Sequence, residues 1–360
     1  MKIGMVAPPL GTASMTVAAS LSRNLARRGH EVHFIGHRSG TPHLAEEGVS
    51  EHVIDPSTCA TTDPPMHDLA LAAKIASVAE EARLELVHVH AAIPHAVAAT
   101  LARQILGSKA PKLVTTLHGV ELTLIASDLC LVGLARHGLD CSDAVTCVSG
   151  SLRRDVLQEF GPRTLHVIPD FLDPIPRTFK VGTSGRPAIL HISNFRPGKR
   201  VDLVLQTFAR VLREVPSELL LVGDGPERAS ARELTRTLNI EGSVRFLSGV
   251  ESYEALPEAD VFLLPSDNES FGFAALAAMA AGIPVVGSDA GGLPEVVKHA
   301  ESGYLLPVGD VEGLTERCSE ILRDKERRRE MGEAARHRAQ SLFGAERVVG
   351  LFEDLYRSLM

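Results

Sequence analysis

The segment 261–284, VFLLPSDNESFGFAALAAMAAGIP, decides the fold. Its four leading apolar residues, Val261 to Leu264, are too short a run for a helix and long enough for a buried strand. A polar turn carrying Glu269 follows, and an alanine-rich run then ends at Gly282 and Pro284, so the segment reads as strand, turn and helix. At such a junction the unpaired N–H groups of the helix start stand above the carboxyl end of a parallel strand, where open α/β sheets bind ligands. Glu269 is then either the ligand-facing group of a candidate sugar-phosphate site or a solvated first-turn carboxylate complementing the helix dipole.

The same rhythm extends outward in both directions. Strands are expected at Lys2 to Ala7, Glu31 to Gly36, Leu86 to His90, Leu113 to Leu117, Ala144 to Val148 and Leu165 to Ile168. A second set is expected at Ala188 to Ile192, Leu219 to Val222, Val244 to Leu247, Val261 to Leu264, Pro284 to Gly287 and Tyr304 to Leu306. Strands alternating with longer helical patterns indicate βαβ units and parallel sheets. Between the sets, a Pro/Gly/Ser-rich stretch, 171–187, suits a linker. The expectation is an α/β chain of two Rossmann-like, doubly wound domains, 1–170 and 188–340, facing across a cleft. Apolar residues Val348, Val349, Leu351, Phe352, Leu355 and Leu359 recur at near-helical spacing in 341–360, a terminal helix able to cross back to the first domain.

At 360 residues, with 44% hydrophobic and 23% charged residues, the chain has ordinary globular composition and is long enough for two cores. A net charge of −8 without a basic run argues against nucleic acid as the partner. Five scattered cysteines without a C-x-x-C pair fit a reducing compartment and no structural zinc. MKIGMVAPP reads as a core strand and not a signal peptide, and no apolar run reaches the ~18 residues a membrane span needs, so a cytoplasmic protein is expected. A homo-oligomer remains open.

Several strand ends carry candidate chemistry. The loop around Gly11, Thr12 and Ser14 is either an anion cradle or a plain βα connection. Alternation in LVHVH puts His88 and His90 on one strand face with His95 nearby, a set that suits satisfied core histidines better than a metal. His118 closes another strand, where it can donate to a sugar hydroxyl. Arg196, Lys199 and Arg200 follow the strand ending at Ile192, and paired cations there can hold a diphosphate as it departs. Gly223 and Gly225 form a tight turn after the next strand, and Gly291 and Gly292 lie in a third.

Taken in order, the Arg196–Lys199 turn, GDGPE, the 265–284 segment, GSDAGGLPEVV and GYLLPVGD resemble the retaining GT-B glycosyltransferases of family 4. VHVHAAIPHAVAA, TTLHGVELTL and ISNFRPGKRVD resemble, within that family, the group that glycosylates L-malate in bacillithiol biosynthesis. The resemblance implies transfer of N-acetylglucosamine from UDP-GlcNAc, a substrate, to a small hydroxy acid, with no cofactor and no metal. By the same resemblance, Arg196 and Lys199 neutralise the leaving diphosphate, Glu269 holds sugar hydroxyls, and His118 lies beside the transferred sugar. Gly223, Gly225, Ser270, Phe271 and Gly272 fall on the donor side, and Thr12, Ser14 and Arg153 on the acceptor side. Departures from the family pattern stand at 12–15, Ala91, Gly150, Asp170 and Ala277. A second glutamate is expected at position 277, about 12 Å along the helix from Glu269, to hold the ribose. Its loss leaves open a binding protein without turnover, and the changed first loop leaves open another acceptor or donor.

Overall fold

The protein is described by a computed structural model covering residues 1–7, 13–37, 48–54, 67–173, 185–247 and 259–360. Thr12 and Gly11, Cys59 and most of the expected linker lie outside the described residues. The chain divides into two units, Met1–Phe171 with Ala345–Met360, and Leu172–Gly344.

In the first unit, β1 (Lys2–Val6), β2 (Glu31–His37), β3 (Val49–Ile54), β4 (Leu86–His90), β5 (Lys112–Leu117), β6 (Ala144–Cys147) and β7 (His166–Val167) form one sheet. Its order is β3-β2-β1-β4-β5-β6-β7, and every pairing is parallel. Helices α1 (Ala13–Arg27), α2 (His67–Ala82), α3 (Val97–Leu106), α4 (Val120–Ser127), α5 (Leu131–Asp140) and α6 (Gly150–Phe160) connect the strands. Because helices cover parallel sheets, central strands are buried throughout, and Leu86 to His90 is buried at every position.

The second unit holds β8 (Ala188–Ile192), β9 (Glu218–Val222), β10 (Val244–Leu247), β11 (Val261–Leu264), β12 (Val285–Ser288) and β13 (Gly303–Leu306) in the order β10-β9-β8-β11-β12-β13, again parallel. Its helices are α7 (Val201–Glu214), α8 (Arg228–Thr237), α9 (Phe273–Ala280), α10 (Leu293–Val296), α11 (Val311–Arg323) and α12 (Lys325–Phe343). On α7, Val201, Val204, Leu205, Phe208 and Val211 form the helical stripe that enters the core, a spacing legible in sequence. Side-chain caps cut the charged tail into separate helices, since Asp310 accepts the Gly313 N–H at 2.9 Å and Asp324 the Arg327 N–H at 2.9 Å.

The last helix, α13 (Ala345–Leu359), belongs to the first unit. Glu353 accepts from Arg28 Nη1 at 2.7 Å and pairs with His30 Nε2 at 2.9 Å, while the Tyr356 hydroxyl meets His88 Nδ1 at 2.7 Å. One expectation needs correcting, because the first sheet has seven strands where six were expected. The addition is β3, sequence VSEHVI, whose only buried residues are Val49 and Ile54. It is an edge strand half open to solvent, so its polar middle hid the apolar signal. In both sheets the strand order reverses between neighbours, at β1/β4 and β8/β11, and these are the switch points outside which doubly wound sheets place ligands.

Candidate active site

In the second unit, loops leaving β8, β9, β11 and β12 meet above the sheet. Lys199 ends a short 3-10 turn, Pro197–Lys199, and its Nζ donates to Glu269 Oε1 at 2.8 Å. Ser266 Oγ donates to the same oxygen at 2.7 Å, and the Asp267 N–H reaches Gly198 O at 3.0 Å. Glu269 is buried, whereas the Lys199 side chain keeps 28% exposure, so this ion pair opens on one side. The pair is charge-assisted and holds the ammonium close to a helix start, an arrangement suited to an anion beside a hydroxylated group.

Arg196 stands exposed ahead of the turn. Arg200 differs from the expected three-cation cluster, because its guanidinium is engaged by Asp202 at 3.0 Å and Asp267 at 2.9 Å. It clips the β8 loop to the β11 loop, which leaves Arg196 and Lys199 as the basic pair. Gly223 (φ 128°) and Gly225 (φ 156°) lie in backbone regions closed to most L-residues, and a Cβ on either would collide with the carbonyl oxygen of Ser193 or Asn194. Their close approach is to the neighbouring loop. Gly272 (φ 97°) opens α9, with Ser270 half-buried before it and Phe271 packed edge-on to Phe343 at 5.5 Å. Ala277 is fully buried on α9.

His191 was absent from the sequence reading. Its Nδ1–H donates to Leu263 O at 2.9 Å, which leaves Nε2 to accept from Ser193 Oγ at 2.8 Å, so the ring ties β8, β11 and the 193–195 loop together. Burial pushes its pKa down to about 4 and keeps it neutral.

The first unit gathers a different set. His90 closes β4 and His118 follows β5, their rings stack with centroids 5.2 Å apart, and His90 Nδ1 meets His118 Nε2 at 3.0 Å. His88, on the same strand face as expected, lies 4.4 Å from the His90 ring and bonds Thr116 Oγ1 at 2.6 Å. Asp170 Oδ1 stands 3.4 Å from His118 Nδ1, too long for a good hydrogen bond. Glu121 is buried and accepts the N–H groups of Ala92 at 3.2 Å and Gly119 at 3.0 Å, tying the β4 and β5 loops together. Burial pushes the His118 pKa down, but the charge and contact of Asp170 and the charge of Glu121 together outweigh it, and the net shift is upward. Burial, reinforced by the neighbouring histidines, holds His90 well below its usual value, and burial raises the Glu121 carboxyl against three backbone N–H groups and the His118 charge.

Of the acceptor candidates, Ser14 lies half-buried in the first turn of α1 and Arg153 stands exposed on α6, while Thr12 is outside the described residues. Asp170 and Tyr356 were not legible as site neighbours, since both join the cluster across long sequence distances, and Glu121, close to His118 in sequence, was missed because its link to the β4 loop runs through the Ala92 N–H. Among the described residues no group of three or more His, Cys, Asp or Glu is placed to hold a metal ion, and no helix is long and apolar enough to cross a membrane. Cys130, Cys141, Cys147 and Cys318 are thiols that form no disulfide.

Two family models cover the chain in tandem, "Glycosyltransferase Family 4" over residues 15–174 and "Glycosyl transferases group 1" over residues 177–338. The chain belongs to this glycosyltransferase family, and its two parallel-sheet units are those of the GT-B fold. It is 39% identical to the N-acetyl-alpha-D-glucosaminyl L-malate synthase of Bacillus anthracis, an alignment covering 100% of this chain and 97% of the relative. A GDP-mannose-dependent alpha-(1-6)-phosphatidylinositol monomannoside mannosyltransferase of Mycolicibacterium smegmatis is 30% identical over 74% of this chain and 75% of the relative. Among solved structures, the Anabaena protein HepE in complex with UDP and glucose superposes with a TM-score of 0.82 at 19% identity over 99% of both chains. The sucrose-phosphate synthase of Thermosynechococcus elongatus gives a TM-score of 0.79 at 22% identity over 100% of this chain and 99% of the other. At these identities the structural likeness carries the fold.

Proposed function

We propose that this protein transfers N-acetylglucosamine from UDP-GlcNAc to the hydroxyl of L-malate with retention of configuration. The observation that carries the reading is the 39% identity to the L-malate synthase along the entire chain. The Lys199–Glu269–Ser266 arrangement supports it chemically, as a half-open ion pair at a switch point and a helix start.

In this reading the second unit holds the nucleotide sugar and the first unit the acceptor. Lys199 and Arg196 take the negative charge of the departing diphosphate, the task that cations perform in phosphoryl clamps. Glu269 holds sugar hydroxyls, oriented by Ser266 and Lys199. The malate hydroxyl attacks the anomeric carbon from the side the diphosphate leaves, the C–O bond to the diphosphate breaks, and the hydroxyl proton passes to the leaving phosphate oxygen. No protein nucleophile, cofactor or metal is invoked. Gly223, Gly225, Ser270, Phe271 and Gly272 are assigned to the donor side, and Thr12, Ser14 and Arg153 to the acceptor, whose two carboxylates call for cations and N–H donors. Free cysteines fit work in a reducing cytoplasm.

The test is UDP release from purified protein given UDP-GlcNAc and L-malate, with the glycosylated malate identified by mass spectrometry. Release that requires both substrates is the expected result, and no release with malate while another hydroxy acid supports turnover overturns the acceptor. One observation favours a second reading, a donor-binding protein without turnover: Ala277 is fully buried where the family pattern has a carboxylate. Calorimetric heat on UDP-GlcNAc addition without any UDP release would establish that reading instead.

A further inference from the structure

The imidazole at position 90 has no task in the transfer just described, yet it is fully buried at the carboxyl end of β4, beside a switch point. Its Nδ1 is 3.0 Å from His118 Nε2, its carbonyl meets His95 Nδ1 at 3.0 Å, and its ring lies between those of His88 and His118. Among the described residues, two buried ring nitrogens of this stack, His90 Nε2 and His118 Nδ1, have no hydrogen-bond partner, the Asp170 carboxylate standing 3.4 Å from the second.

We propose that His90 is a positioning residue for His118, accepting the His118 Nε2–H on its Nδ1 and so holding that ring with its Nδ1–H aimed beside the Asp170 carboxylate, 3.4 Å away, where a ligand hydroxyl can be received. A proton on the shared line belongs to His118, since burial among three other histidines keeps His90 neutral while Asp170 favours charge on His118. His90 then carries its own hydrogen on Nε2, a second buried donor, which meets no acceptor among the described residues. Buried polar groups are seldom left unpaired, and two donors at the ends of neighbouring strands define a place for hydroxyl oxygens. The groups facing this pair are His88 on β4, His95 in the turn after it, Glu121 on α4, Asp170 beyond β7 and, one ring further away, Tyr356 on α13. The catalytic consequence rests on the transferase reading, whereas the geometry does not.

Nitrogen-15 histidine spectra of the full chain test the geometry, with the His118 signals assigned by their loss in His118→Gln. The expected wild-type pattern has His118 carrying hydrogens on both Nε2 and Nδ1, and His90 neutral with its hydrogen on Nε2. His90→Phe keeps a ring of similar size without an acceptor, and in it His118 is expected to become neutral in part and then to sample both tautomers. With UDP-GlcNAc and L-malate, His90→Phe should lose roughly tenfold to a hundredfold in kcat while the donor KM moves less than about threefold, with its pH profile displaced. His90→Asn places a carboxamide oxygen near the Nδ1 position and should retain kcat within about threefold. A folded His90→Phe protein with unchanged His118 signals and an unchanged pH profile overturns the proposal, as does an equal loss in His90→Asn. If the spectra change as expected and the wild type transfers nothing, the positioning stands and the transferase reading falls.

Discussion

The two strand-end clusters solve different problems with different materials. In the second unit, Lys199 and Glu269 meet on loops whose paths are set by glycines and by the Arg200 clip, and the ion pair stays open to solvent. In the first unit, His88 and His90 lie fully buried in the middle and at the end of β4, His118 sits partly buried just past β5, and the three are steadied by Asp170, Glu121 and the C-terminal helix. A half-exposed charge pair can exchange partners with an arriving anion at little desolvation cost, whereas a buried imidazole stack can only present fixed edges. The contrast suggests a second unit that handles charge and a first unit that handles orientation.

Removing the charge should have the largest effect. Lys199→Ala is expected to lower kcat about 10²–10³-fold, the usual result of losing a preorganised group aimed at developing charge. Steady-state UDP release measures it, and a loss under tenfold would move the phosphate-facing role to Arg196. Gly225→Ala comes next, since the added Cβ meets the Asn194 carbonyl and the backbone is at φ 156°. A destabilisation of about 3 kcal/mol or more is expected in urea titration, in the range of strained-backbone and overpacking mutants, and an unperturbed midpoint would show that the loops are loosely joined.

Acid should weaken both units through their buried neutral histidines. His88 is held down to about 3 and His191 to about 4, both by burial, below the ordinary value of 6.5. The unfolded chain therefore binds protons that the folded chain refuses, so stability is full above pH 6.5 and falls as pH drops toward 4. Each histidine contributes about 1.4 kcal/mol per pH unit in that window. Chemical denaturation at a series of pH values measures the slope, and a flat profile between pH 6.5 and 5 would contradict the buried neutral state.

Smaller effects separate the clusters further. Ala277→Glu puts a carboxylate at a fully buried position and is expected to cost about 2 kcal/mol of stability, from overpacking and charge burial. Tighter UDP-GlcNAc binding at unchanged melting temperature would instead mean that the position opens onto the ribose. Tyr356→Phe removes the hydroxyl at His88 Nδ1 and should cost about 1 kcal/mol. A matching shift of the His118 signals would tie the C-terminal helix to the orientation of the histidine stack, and their constancy would confine Tyr356 to stability.

By itself the sequence determined the two α/β units, nearly all of the strands and the loops that carry the chemistry. Apolar runs, glycine turns and helix stripes are local signals, and each is written within about a dozen residues. The 261–284 segment is the best case, because strand, turn and helix are contiguous there. Tertiary structure alone decided who meets whom. It turned Arg200 from a phosphate ligand into a clip between two loops, joined Lys199 to a glutamate 70 residues away, and brought Tyr356 back to His88 across 268 residues. It also revealed β3, whose half-exposed face carries no apolar rhythm. Pairings of that kind follow from the order in which strands enter a sheet, and no local pattern of residues records that order.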